Sequence, residues 1–162
     1  MSYIISPPEE TALQAHLQKL RTQLHEDPEL SWQEHRTTRL VRRELEALCL
    51  EPVPLGLPTG TAALLRGALP GPTVGLRADL DALPITERTG AEFSSRVPGV
   101  MHACGHDVHM AALLGAARLL AARREQLAGN VLFLFQPAEE AATGAMQVLE
   151  PVSYTHLTLP TT

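Results

Sequence analysis

The sequence predicts an α/β fold of stacked layers, and three observations lead to it. Residues 131–135 (VLFLF) are apolar without a polar interruption, the mark of a strand buried on both faces. Two shorter strand-like runs precede it, at 61–66 and 73–78, bounded by glycine and proline. Around them lie segments whose apolar residues recur at helical spacing. Helices interleaved with buried strands pack in layers about one sheet. The sequence contains no internal repeat.

The first helix starts at Ser6. Ser6 can cap, Pro7 suits the first helical position and Glu9 completes a capping box. Leu13, Leu17, Leu20 and Leu24 form its buried stripe, and Asp27 before Pro28 ends it. Ser31 with Glu34 reads as a second capping box, opening a helix to about Leu48. Leu40, Val41, Leu45 and Leu48 take its apolar side, while Arg36, Arg39, Arg43, Glu44 and Glu46 make a solvated face. Cys49, at its end, reads as a packed thiol. The runs at 61–66 and 73–78, joined by the turn-rich link GALPGP, read as an antiparallel pair. Pro84 and the polar run 86–99 form a loop. Asp107 can cap a helix that runs to about Arg124 through Met110, Leu113, Leu114, Ala117 and Leu120. Gly129 and Asn130 turn into the 131–135 strand, and a short helix over 143–150 follows.

The last stretch stands apart. Residues 152–162 share neither periodicity nor composition with what precedes them. They resemble a translated sequencing adapter, read through at the end of a truncated gene. Residues 1–151 are therefore taken as the native domain and 152–162 as a non-native tail, with no role for His156. A native disordered terminus is the other reading.

Composition excludes several classes. The 162 residues suit one domain or part of a larger one. Apolar content of 44% builds a core, and aromatics at 4% make that core aliphatic. A net charge of −5 and no basic stripe argue against nucleic acid. Twelve arginines to one lysine, Lys19, reflect genome composition. The N-terminus has no signal-peptide pattern, and no stretch approaches a membrane span. With no secretion signal, the expected setting is the reducing cytoplasm, and Cys49 and Cys104 are not expected to pair.

Chemistry concentrates at 100–109 (VMHACGHDVH), where three histidines, one cysteine and one aspartate fall within ten residues. Such a mixture of donors suggests a metal site. In open α/β sheets ligands sit beyond the carboxyl ends of strands. The 73–78 strand delivers Asp79 and Asp81 there, and the 131–135 strand delivers Glu139 and Glu140. If those two strands are parallel, four carboxylates meet at one edge, and a cation is the economical way to hold them.

Spacing suggests roles. Cys104 and His106 are two apart and, in an extended loop, point the same way. Glu139 and Glu140 are adjacent and point differently. One can bind metal while the other takes a proton from water, as metal-assisted hydrolysis requires. Asp79 and Asp81 read as supports of the metal shell. His102 reads as a loop hydrogen-bonder or substrate-binding group, and His109 as a spare ligand or packing residue. His16, His25 and His35 read as surface residues.

Four motifs then occur in order: LHEDPEL at 24–30, GLRADLDALP at 75–84, MHACGHD at 101–107 and FQPAEE at 135–140. Together they resemble the N-terminal part of the M20 metallopeptidase family, over about residues 10–150. The likeness is closer to its amidohydrolase branch, which holds hippurate hydrolase, N-acyl-amino-acid amidohydrolases and auxin-conjugate hydrolases.

The resemblance implies a layered α/β/α catalytic domain of zinc-peptidase type, with only its N-terminal half present and the lid and dimerisation domain absent. It implies two divalent ions, Mn, Zn or Co, with Cys104 bridging them and His106 and Glu140 as further ligands. Glu139 is then the general base, and Asp81 supports the site. The implied substrate is a small N-acyl amino acid, and the full-length protein a homodimer through the missing domain. Two histidine ligands of the family lie beyond this sequence, and the stretch after Glu140 is poorer in glycine than is usual. The fragment alone is therefore expected to hydrolyse little. Two other readings stand beside this one: a thiol hydrolase using Cys104 and His106, and a non-catalytic metal-binding module.

Overall fold

A computed structural model describes residues 6–153. The elements are α1 (Pro7–Glu26), α2 (His35–Glu46), β1 (Glu51–Val53), β2 (Thr61–Arg66), β3 (Leu69–Asp79), α3 (His106–Ala121), a 3-10 turn (Arg124–Gln126), β4 (Ala128–Gln136) and α4 (Gly144–Ser153). The fold is α/β, as the sequence predicts. The strands form one sheet in the order β1-β2-β4-β3. Of the tail read as non-native, 152–162, residues 154–162 lie outside the described residues; residues 152 and 153 belong to α4, which extends through Ser153.

Strand β4 is the centre of the sheet because its side chains can be buried on both faces. Alternate residues of a strand point to opposite sides. Phe133 and Phe135 enter a core built with Leu20 and Leu24 of α1, Val41 and Leu45 of α2, and Met110 and Leu114 of α3. Leu132 enters a smaller cluster with Val53, Ala62, Leu64 and Val148, the last from α4. The layers are thus three helices, the sheet, and α4. Phe133 and Phe135 are fully buried, and truncating either to alanine should cost about 3–5 kcal/mol.

The helix over 7–26 forms as expected, with the Glu9 carboxylate accepting from the Ser6 amide (2.9 Å) and hydroxyl (2.6 Å). Other local expectations are corrected. β2 and β3 are not an antiparallel pair: β4 lies between them, antiparallel to β2 and parallel to β3. A turn-rich link suggests a hairpin, but the fully apolar β4 takes the central place and α3 supplies the crossover that a parallel pair needs. Ser31 does not cap α2, which starts at His35; Trp32 has φ 65° and Ser31 turns to a distant carboxylate. Asp107 does not cap α3, whose N-cap is Gly105 with φ 81°. It is buried and accepts from Arg21 Nε (2.8 Å) instead. Cys49 is exposed at φ 53° rather than packed.

What matters for function is the shared end of β3 and β4. Asp79 pairs in register with Gln136. The residues just beyond, Asp81 on one chain segment and Glu139 and Glu140 on the other, therefore leave the sheet at the same edge.

Candidate metal centre

Asp81 is fully buried at that edge and gathers the chain around it. Its carboxylate accepts from the backbone amides of Glu139 (3.1 Å) and Glu140 (2.9 Å) and from the Ser31 hydroxyl (2.7 Å). Its main-chain oxygen lies 2.8 Å from His106 Nδ1. A carbonyl oxygen can only accept, so Nδ1 carries a proton, and the tautomer this selects is the one whose Nε2 offers a lone pair to a metal. Backbone acceptors fix metal-binding imidazoles in the same manner.

The free Nε2 faces the two glutamates. It lies 3.8 Å from Glu139 Oε2 and 3.9 Å from Glu140 Oε1. One donor atom from each of His106, Glu139 and Glu140 falls within 4.8 Å of the other two. Glu140 Oε1 is buried and has no hydrogen-bond partner among the described residues. An orphaned carboxylate oxygen beside an imidazole lone pair is costly unless a cation satisfies both. The donors therefore fit a divalent ion of borderline hardness. The two glutamates differ in exposure: the Glu139 side chain is 40% exposed and that of Glu140 is 16%.

Cys104 stands outside this trio. The loop is not extended there: the Gly105 amide donates back to the His102 carbonyl (3.3 Å), and the turn leaves Cys104 exposed. Its thiol is pushed above its ordinary value by the Glu140 carboxyl beside it, and further by Glu139 and Asp81. Such a thiol is a poor nucleophile, which disfavours the thiol-hydrolase reading. A bound cation would reverse that balance, because it opposes the same carboxylates.

The remaining expected residues are placed around the centre. Asp79 is spent on a two-bond pair with Arg77 (2.9 and 3.0 Å), at the border of the site. His109 is exposed, its ring centroid 6.0 Å from that of His106. His102 is 3% exposed, and neither ring nitrogen has a partner among the described residues. Burial pushes its pKa down to about 4, against the pull of Asp107, so the ring is neutral.

His25 corrects the expectation of a surface residue. It is buried, with Nδ1 2.8 Å from Asp107 Oδ2 and Nε2 3.3 Å from Glu87 Oε1. It ties the end of α1 to the ligand loop and to the 86–99 loop. Glu34 is a second residue that sequence reasoning missed. It is fully buried and reaches both Thr59 and Ala138. A signal existed: Glu34, Thr38, Val41 and Leu45 follow helical spacing and are all buried. Extending the apolar stripe of α2 one turn backward points to an acid inside the core.

The chain resembles known proteins over most of its length. A profile of peptidase family M20/M25/M40 matches residues 75–160. N-acetylcysteine deacetylase of Bacillus subtilis is 51% identical over 140 residues, covering 86% of this chain and 37% of that protein. IAA-amino acid hydrolase ILR1-like 6 of Arabidopsis thaliana is 48% identical over 137 residues, covering 84% of this chain and 29% of that protein. The crystal structure of a dinuclear metal-binding peptidase of the M20 family from Bacillus subtilis superposes with a TM-score of 0.86 at 49% identity, over 91% of this chain and 42% of that one. The chain thus spans about a third of the length of the curated relatives it matches.

Proposed function

This chain belongs to peptidase family M20/M25/M40, and on that footing we propose that it forms the N-terminal part of the catalytic domain of a metal-dependent amidohydrolase. The substrates are small N-acyl amino acids, in keeping with the names of the N-acetylcysteine deacetylase and the IAA-amino acid hydrolase. Residues 1–151 are the native part of that domain. The full-length protein is a cytoplasmic homodimer. No described helix is long and apolar enough to cross a membrane.

The carrying observation is the unequal pair of adjacent glutamates against one imidazole lone pair. Glu140, the more buried, holds metal together with His106, and Cys104 joins them as a thiolate. Glu139, the more open, is the general base. Two divalent ions, Mn, Zn or Co, held by these residues would supply the Lewis acidity that polarises an amide carbonyl and makes water easier to deprotonate. Glu139 takes the proton from the attacking water and hands it to the leaving amine. Asp81 keeps His106 in the required tautomer and holds the backbone that bears both glutamates. His102, Asp79 and His109 border the site and support it.

The test is hydrolysis of N-acetyl amino acids by the full-length protein supplied with manganese, cobalt or zinc. Glu139→Gln should abolish turnover while metal still binds. Retained turnover in that variant rejects Glu139 as the base. The 162-residue chain by itself should turn over little, since it offers three of the expected ligands.

A further inference from the structure

Three consecutive backbone amides bear the glutamates of the site, and all three are captured by buried carboxyls. Asp81 takes those of Glu139 and Glu140. The amide of Ala138 goes to Glu34 Oε1, 2.8 Å away and 104 residues distant in sequence. The other Glu34 oxygen, Oε2, accepts from the Thr59 hydroxyl at 2.8 Å. Glu34 and Ala138 are both fully buried, and no ion pair involving Glu34 exists among the described residues.

We propose that Glu34 is a positioning residue for the reaction, setting the turn that presents Glu139 and Glu140 at different angles. The inference rests on the function proposed above for those glutamates. Its logic is conformational. Ala138 adopts φ 51°, in the left-handed region that an alanine avoids. Ala142, at the far end of the same turn, has φ 53°. Backbone held in such a region persists only where its surroundings over-determine it. Inside the turn, the Ala138 carbonyl accepts from Gly144 N (3.1 Å) and the Glu139 carbonyl from Ala142 N (2.8 Å). These bonds close the turn but leave the Ala138 amide without a place to go. Glu34 supplies that place, and Thr59 fixes the Glu34 carboxyl from its other side. With Ala138 set, the next two amides fall onto Asp81. Glu139 is then turned outward and Glu140 inward, which is the difference in exposure that their proposed roles require.

Glu34 touches no reacting atom, so its removal should act through geometry. In the full-length protein, Glu34→Ala should lower kcat by about 100-fold, with KM changed by less than about threefold. Amide hydrogen exchange at 138–140 should speed up by about tenfold or more while the β4 core stays protected. Glu34→Gln keeps an oxygen for the Ala138 amide and gains a donor for Thr59, so it should recover most of kcat. Thr59→Val removes only the hydroxyl that steadies Glu34. It should give the same changes at smaller size, and it decides the matter if Glu34→Ala fails to fold. Unchanged exchange at 138–140 in a folded Glu34→Ala or Thr59→Val protein overturns the proposal. So does an unchanged kcat in either. If the wild-type protein hydrolyses no N-acyl amino acid, the functional reading fails, and the exchange measurement still decides whether Glu34 sets the turn.

Discussion

The imidazole of His106 is locked to the main chain of Asp81, with Nδ1 2.8 Å from the carbonyl oxygen of that residue. The same aspartate holds the amides of Glu139 and Glu140 on its carboxylate. One buried residue therefore aims the imidazole from one side and the two carboxylates from the other.

That double duty makes Asp81 sensitive to a small change. Asp81→Asn leaves one oxygen where two accept three hydrogen bonds, and it turns an amide group toward a donor. Stability should fall by about 2–3 kcal/mol in urea denaturation. Divalent-metal affinity should fall by about 10–100-fold in titration calorimetry of the full-length protein. An asparagine variant as stable as wild type would contradict the hydrogen-bond pattern.

Gly144 bounds the turn from the α4 side. A Cβ built on it would stand 1.7 Å from the Pro137 carbonyl oxygen and 2.8 Å from the Pro137 carbonyl carbon. Neither atom belongs to a flexible side chain. Gly144→Ala should cost about 3 kcal/mol or more. A melting temperature within a degree or so of wild type would show that the turn can yield.

Acid should loosen the 86–99 loop through Glu87. Its carboxyl is held down at about 2 by the Ser95 amide (2.6 Å), then by the Thr89 hydroxyl, with a smaller contribution from His25; burial opposes them. The folded value lies below the ordinary 4.5, so the unfolded chain binds more protons between the two. The stabilisation is complete above about pH 4.5 and is lost as pH falls toward 2. Glu87→Gln should cost on the order of 1–2 kcal/mol at neutral pH and flatten the acid limb of a stability–pH curve. An acid limb of unchanged slope in that variant rules Glu87 out as its cause.

Cys104 offers a chemical probe of the same carboxylates. Its thiol is raised chiefly by Glu140. In metal-free protein near pH 8, iodoacetamide should modify Cys104 more slowly than an unstructured cysteine peptide. Glu140→Gln should speed that modification several-fold, because more thiolate is present. Peptide mass spectrometry separates Cys104 from Cys49, which is exposed as well. Equal rates in the two proteins would mean that Glu140 does not govern the thiol.

Much of the site was legible because its signals are local in sequence. The apolar run of β4, followed within five residues by Glu139 and Glu140, places those acids beyond a strand end. The parallel pairing with β3 then brings Asp81 to them. What was not legible depends on partners far along the chain. Ser31 and Glu34 obey the local capping-box pattern, yet Asp81 and Ala138, 50 and 104 residues away, draw them elsewhere. His25 looks like any helix-end histidine until Asp107 and Glu87 close around it. The β2–β3 link looks like a hairpin until β4 is inserted. In each case a short-range rule met a buried group with a stronger demand, and burial is a property of the whole chain.

Strand β3 carries a practical consequence. It lies at the rim of the sheet, and among the described residues only β4 pairs with it. Pro70 and Pro72 blunt its first residues, but from Thr73 onward one row of amides and carbonyls faces outward. Val74 is 53% exposed along that row. Such a rim accepts whatever extended peptide meets it first. Prepared alone, this polypeptide should therefore grow by edge-to-edge stacking as concentration rises. A lysine in place of Val74 is the simplest guard against it.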